Sequence, residues 1–200
     1  MYAGADLDQQ VRAFESLSGL AADRGGSHPG LGTRNALASL GADVYLELIA
    51  PDPEQPAAGT FAERFRTFRQ PRIFAYMVRA RNLERLQESM AQAGIESDLV
   101  DASRNTPGGA TLRWRLLLPR GNPFGEHIPK FIDWMDTLHP ATTAAKGCEL
   151  TAFELGHPDA GRLGAILRTL DVEVPLVRAD RPYFRADLYT PNGDLVLTGY

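Results

Sequence analysis

MYAGADLDQQVRAFESL (residues 1–17), YMVRARNLERLQESMAQAG (76–94) and AFELGHPDAGRLGAILRTL (152–170) repeat one pattern. A short apolar strand runs into a polar cap and then into an amphipathic helix. The caps are Asp6, Asn82 and His157, and they recur at intervals of about 75 residues, the scale of duplicated supersecondary units. Such units commonly build a site where the copies face one another.

Working outward from the first copy, Leu7, Val11, Phe14 and Leu17 fall at helical spacing, with Asp6 as cap and Gly19 as stop. A glycine-rich loop, GGSHPGLG (25–32), follows. Strands are expected over 33–40 and 44–50, joined across Gly41-Ala42-Asp43. PDPEQPAAG (51–59) has the composition of a linker. The second copy predicts a strand over 73–79 and a helix carrying Leu83, Leu86 and Met90 to a stop at Gly94. Strands near 95–100, 112–118 and 128–134 come next, with turns at NTPGG (105–109) and PRGNPFGE (119–126). The third copy predicts a strand over 149–155 and a helix with Leu163, Ile166, Leu167 and Leu170. Strands at 172–177, 184–189 and 195–197 complete it, with a tight hairpin at Asn192-Gly193. The expected class is α+β: tandem βαβββ modules over residues 1–58 and 59–146, with a third, partial module over 147–200. Cupped mixed or antiparallel sheets carry helices on their outer faces, all in one compact domain.

The 200 residues suffice for one sizeable core. A net charge of −4 argues against general nucleic-acid binding, which favours a basic stripe. The local exception is Arg64, Arg66, Arg69 and Arg72 interleaved with Phe61, Phe65 and Phe68, which reads as a linking helix with one apolar face. Cys148 is the single cysteine, so no internal disulfide forms, and its apolar setting reads as a buried thiol. No apolar run reaches the length of a membrane span and no signal segment precedes the first element, so the expected location is the cytoplasm.

Strand, helix and three strands in tandem resemble the module of the vicinal oxygen chelate superfamily. ADLDQQVRAFESLSGL (5–20), GGSHPGLGTRNALASLG (25–41), VYLELIAPDP (44–53), KFIDWMDTLHPAT (130–142) and ELTAFELGHPD (149–159) together resemble its glyoxalase-like domain proteins, over nearly the whole chain. The resemblance implies a cupped sheet around a small-molecule pocket. In metal-dependent members it also implies a divalent ion, here nickel, iron, manganese or zinc, held by the first and fourth strands of each module. Such an ion stabilises an enolate as a Lewis acid. Carried over, the fourth strand of module one keeps Glu47, and that of module two offers Asp133. The first-strand histidine would lie seven residues before Asp6, ahead of Met1; either the chain starts late or this member lacks the ligand. The matching place in module two is Ala75, which cannot bind metal. A homodimer also follows from the resemblance, unless the third module completes the core within one chain.

Glu47 is the catalytic candidate. Alternation places Tyr45, Glu47 and Ile49 on one face and Leu46 and Leu48 on the other. A carboxylate in such a strand is a metal ligand, a general base, or half of an ion pair with Arg113 or Arg115. His28 either presents its imidazole to a ligand or caps a turn. His139 either supplies the imidazole that Ala75 lacks or sits in a plain turn before Pro140. Trp114 and Trp134 stack on a substrate or fill core. The substrate-binding set is therefore His28, Asn35, Tyr45, Trp114, Arg115, Asp133, Trp134 and His139, and the metal set is Glu47, Asp133 and His139. His127 and His157 read as structural. Two functions stand: an enzyme acting at a carbonyl or enediol centre, or a metal-independent small-molecule binding protein of the bleomycin-resistance type. Neither reading involves a nucleic acid or a membrane.

Overall fold

The computed structural model describes residues 1–105, 109 and 111–200. The turn expected at NTPGG falls on 106–108, outside the described residues. The first module contains β1 (Tyr2–Ala3), α1 (Leu7–Ser18), β2 (Asp23–His28), β3 (Thr33–Ser39) and β4 (Tyr45–Pro51). The second contains β5 (Arg72–Ile73), β6 (Met77–Arg79), α2 (Leu83–Gln92), β7 (Glu96–Asn105), β8 (Thr111–Arg120) and β9 (Lys130–Asp133). The third contains β10 (Glu149–His157), α3 (Ala160–Thr169), β11 (Leu176–Arg178), β12 (Tyr183–Thr190) and β13 (Gly193–Gly199).

These strands form three mixed sheets, ordered β2-β3-β4-β1-β5, β6-β9-β8-β7 and β11-β10-β12-β13. In the first two modules the opening strand lies parallel to the last: Tyr2 faces Leu48, and Val78 faces Phe131. The third module differs. Its opening strand β10 pairs in parallel with β11, the strand just after the helix, and antiparallel with β12.

The helices start where their caps allow. The Asp6 carboxylate accepts from the Gln9 amide at 2.9 Å, and Gly19 ends α1 in the left-handed region at φ 75°. The Asn82 side chain accepts from the Arg85 amide. In the third copy the cap is Asp159, which accepts from Arg162, whereas the sequence pattern pointed to His157. His157 ends β10 instead, and its Nδ1 accepts from the Asp159 amide.

Three further details depart from the sequence reading. Part of the glycine-rich loop is strand: Gly25 to His28 belong to β2, which pairs with β3 around a bulge at Gly25. The strand expected over 73–79 is broken, because Arg72 and Ile73 pair with β1 in the first sheet while Met77–Arg79 join the second. The linking helix is only a short 3-10 turn (Phe61–Phe65). Its phenylalanines pack edge-on with Phe68 and Phe74, and the Arg72 guanidinium lies 3.8 Å from the Phe68 ring centre.

One hydrophobic core joins all three modules. Leu7 and Phe14 of α1, Leu83 and Met90 of α2, and Leu163 and Leu167 of α3 meet Leu46, Leu48, Leu117, Phe131, Leu155 and Leu188 from the three sheets. Each such side chain stabilises the fold by about 1.5–3 kcal/mol on burial. Cys148 lies within this core as a free thiol. No helix among the described residues is long and apolar enough to cross a membrane.

The third sheet approaches the first through β13 and β5, where Gly199 lies against backbone. A β-carbon on Gly199 would stand 1.7 Å from the Ile73 carbonyl oxygen. Gly199→Ala is therefore expected to lower stability by about 1–3 kcal/mol in urea unfolding. Gly161→Ala, on the open face of α3, should be neutral or stabilising. Equal stability of the two variants would refute this account of the joint.

Candidate functional site

A cavity of about 420 Å³ lies between the first two sheets. Alternation builds it. Tyr45, Glu47 and Ile49 of β4 face the cavity, while Leu46 and Leu48 turn into the helix layer. Thr33, Asn35 and Leu37 of β3 do the same on the neighbouring strand. From the second module come Val100, Ala102 and Arg104 of β7, Trp114, Leu116 and Leu118 of β8, and Lys130 and Ile132 of β9.

The polar centre is a short network. Asn35 Nδ2 donates to Glu47 Oε1 at 2.6 Å and lies 3.3 Å from His28 Nε2. His28 Nδ1 is 2.9 Å from Thr33 Oγ1. Two amide hydrogens on Asn35 serve both partners when Nε2 accepts, which leaves the proton on Nδ1, donated to Thr33. His28 Nε2 is 4.0 Å from Glu47 Oε1. Burial lowers the His28 pKa despite the opposing pull of Glu47, so the imidazole is neutral at pH 7. Tyr45 is shifted upward, first by burial and then by Glu47, and stays a phenol.

Among the described residues, Glu47 has no arginine partner within ion-pair distance. Arg115 lies on the opposite face of β8, bonded to Glu84 at 2.7 Å and near Asp101, so the ion pair considered from sequence does not form. Across the cup stands Arg104, whose whole residue is 7% exposed. It makes no ion pair among the described residues. Burial lowers its pKa, while Glu47 and Tyr45 act the other way. Its seat depends on Gly25, where a β-carbon would come within 2.5 Å of Arg104 Nη1 and 2.1 Å of Asn35 Oδ1. Lys130 also faces the cavity, but it is bonded to Glu126, which in turn takes Arg64 at 2.7 Å.

The structure brings His28, Asn35, Tyr45, Glu47, Trp114 and Trp134 to this cavity. Trp114 and Trp134 lie 5.2 Å apart by ring centres, and Trp134 Nε1 is buried without a hydrogen-bond partner among the described residues. It does not bring Arg115 or Asp133 there. Asp133 alternates away from Lys130 and Ile132, and its carboxylate accepts from the Met135 amide at 2.8 Å. His139 caps a 3-10 turn (Pro140–Thr142) through Nδ1 and sits beside Tyr45, on a smaller adjoining cavity of about 140 Å³ that also touches Glu47.

A divalent metal does not fit these donors. Among the described residues, no group of three or more His, Cys, Asp or Glu side chains is placed to hold an ion. Strand register explains why. Leu48 faces Tyr2 and Phe131 faces Val78, so the residue in module two that corresponds to Glu47 is Lys130, one place before Phe131. An ammonium group stands where the second carboxylate ligand would be, and Asp133 lies on the wrong face to replace it.

Arg104 and Lys130 were not legible as site residues. The apolar signal of β7 stops at Val100, and the strand continues through the polar DASRN only because β8 pairs with it as far as Asn105.

The neutral His28 has a measurable consequence. The folded state holds its proton less tightly than the unfolded chain, whose ordinary value is 6.5. Its contribution leaves stability intact above that value and reduces it as the pH falls below. Wild type should therefore lose more stability than His28→Gln between about pH 7 and about pH 5 in urea titrations. The difference between proteins separates His28 from His127 and His139, also shifted down by burial. Parallel pH curves would refute a neutral His28.

The model of the "Glyoxalase-like domain" family matches residues 1–170. No curated protein matches the chain. Among solved structures, a hypothetical protein from Staphylococcus aureus is similar at 16% identity, with a TM-score of 0.61 over 98% of this chain and 82% of that one. Methylmalonyl-CoA epimerase from Mycobacterium tuberculosis is similar at 21% identity, with a TM-score of 0.43 over 66% of this chain and 81% of that one. With the family match spanning both cup-forming modules, the chain belongs to the glyoxalase-like domain family, within the vicinal oxygen chelate superfamily.

Proposed function

We propose that this protein is a small-molecule enzyme that abstracts a proton from carbon beside a carbonyl, with Glu47 as the base. The observation that carries this reading is the state of the Glu47 carboxylate. Its side chain is 13% exposed, and that exposure opens on the cavity. Asn35 holds Oε1, while Oε2 accepts no hydrogen bond from the described residues. A carboxylate oriented on one oxygen and free on the other is suited to general-base work. Glu47 would take the proton as the electron pair moves to the carbonyl oxygen, giving an enolate. Return of the proton at the same or the neighbouring carbon would complete an isomerisation.

The apolar walls favour a second reading, in which the cup binds a small molecule stoichiometrically without chemistry. One experiment separates the two. A panel of small ketones, aldehydes and hydroxy-ketones is incubated with the protein in deuterated water, and loss of the C–H signal is followed by proton NMR. Exchange by wild type, slowed about a hundredfold or more in Glu47→Gln with an unchanged melting temperature, supports the enzyme. Exchange that survives Glu47→Gln overturns Glu47 as base. Saturable binding with no exchange across the panel favours the binding protein.

A further inference from the structure

We propose that the cup selects a carboxylate: a small organic acid whose anionic head sits on Arg104 and whose apolar body lies against Trp114, Leu116 and Ile132. This deepens the reading of the cup as a small-molecule site and rests on it.

The charges around the cavity point to the sign of the ligand. Lys130 is matched by Glu126. Glu47 is bonded to Asn35 and makes no contact with Arg104 within ion-pair distance. Arg104 is thus a buried residue, 7% exposed as a whole, whose guanidinium lines the cavity with no counter-charge in contact among the described residues. A desolvated cation in that condition is costly, and an anion delivered by a ligand removes the cost. Guanidinium geometry favours a planar two-oxygen partner, which a carboxylate supplies through paired N–H···O bonds. Glu47 adds selection: a second anionic group on the ligand would face its carboxylate, so a monoanion fits better than a dianion. The remaining walls are aliphatic and aromatic, which suits an apolar body. Gly25 belongs to the same device, because its missing β-carbon leaves the space that the guanidinium occupies.

Trp114 and Trp134 are the two tryptophans of the chain, and both line the cavity, so intrinsic fluorescence reports on it directly. The probes are naphthylacetate, its uncharged amide and naphthylmethylamine, titrated against wild type and Arg104→Gln with calorimetry as a second readout. Wild type should bind the acid about tenfold or more tighter than the amide and the amine weakest of all, a margin expected of a charge-assisted pair. Arg104→Gln should bring acid and amide within about twofold of each other, and Arg104→Lys should recover part of the preference. Equal binding of acid and amide by wild type overturns the proposal, as does an acid preference that survives in folded Arg104→Gln. If Arg104→Gln fails to fold, the wild-type order of the three probes decides alone. An acid preference without proton exchange leaves this inference standing and refutes Glu47 as base. Exchange without an acid preference does the reverse.

Discussion

Period-two alternation on β4, with its parallel contact to β1, is the constraint on which the rest of the molecule depends. Leu46 and Leu48 must enter the helix layer, because α1 packs Leu7 and Phe14 against that face. Once they do, Tyr45, Glu47 and Ile49 have only the cavity to face. A shift of one residue would bury the Glu47 carboxylate against α1 and expose leucines to the cup, so core packing and site geometry are fixed by one register. The hydrophobic energy that holds α1 in place is therefore also what holds the carboxylate in the cup.

Keeping polar groups in an otherwise apolar cup requires that they satisfy one another. Asn35 does part of this for module one: its Nδ2 bridges Glu47 and His28 while its Oδ1 has no partner among the described residues, and Thr33 takes the other side of the imidazole. The network contains one formal charge and neutral partners. That arrangement leaves the Glu47 field directed across the cavity, where it is not quenched by a bonded cation. Arg104 faces that field from β7 without touching it. The two charges lie on different modules, so their separation depends on how the sheets pack. The approach of β2 to β7 is the contact that sets it.

The fold was legible in the sequence to the extent that local chemistry determined it. Asp6, Asn82 and the leucines that follow them specify α1 and α2, and Asn192-Gly193 specifies the last hairpin. What failed was long-range. The break between Ile73 and Met77 follows from two sheets sharing one segment, and nothing in IFAYMVR indicates it. The strand character of Gly25–His28 comes from pairing with β3, against the usual meaning of glycines. In the site, the face carrying Glu47 could be read from YLELI because the apolar residues alternate cleanly. KFIDW does not alternate in that way: a lysine takes the cup position and an aspartate faces outward. Its only carboxylate drew attention to Asp133, whereas register with β6 selects Lys130.

That substitution shows how duplicated modules diverge. Register places Leu116 opposite Ile132 in module two where Asn35 lies opposite Ile49 in module one, and Ala102 opposite Trp114 where His28 lies opposite Thr33. At three of these positions the first module carries a polar side chain and the second an apolar one: His28 against Ala102, Thr33 against Trp114 and Asn35 against Leu116. Lys130 completes the series by replacing a carboxylate with a cation. Of the two fourth-strand carboxylates that a metal would take, this chain keeps only Glu47. The second half instead supplies apolar walls, two tryptophans and the Arg104 guanidinium. The cup is thus polarised from one module to the other, with a carboxylate on one wall and cations on the facing wall. On the proposed reading, such a surface orients a ligand that has unlike ends, through side chains whose directions are set by strand alternation.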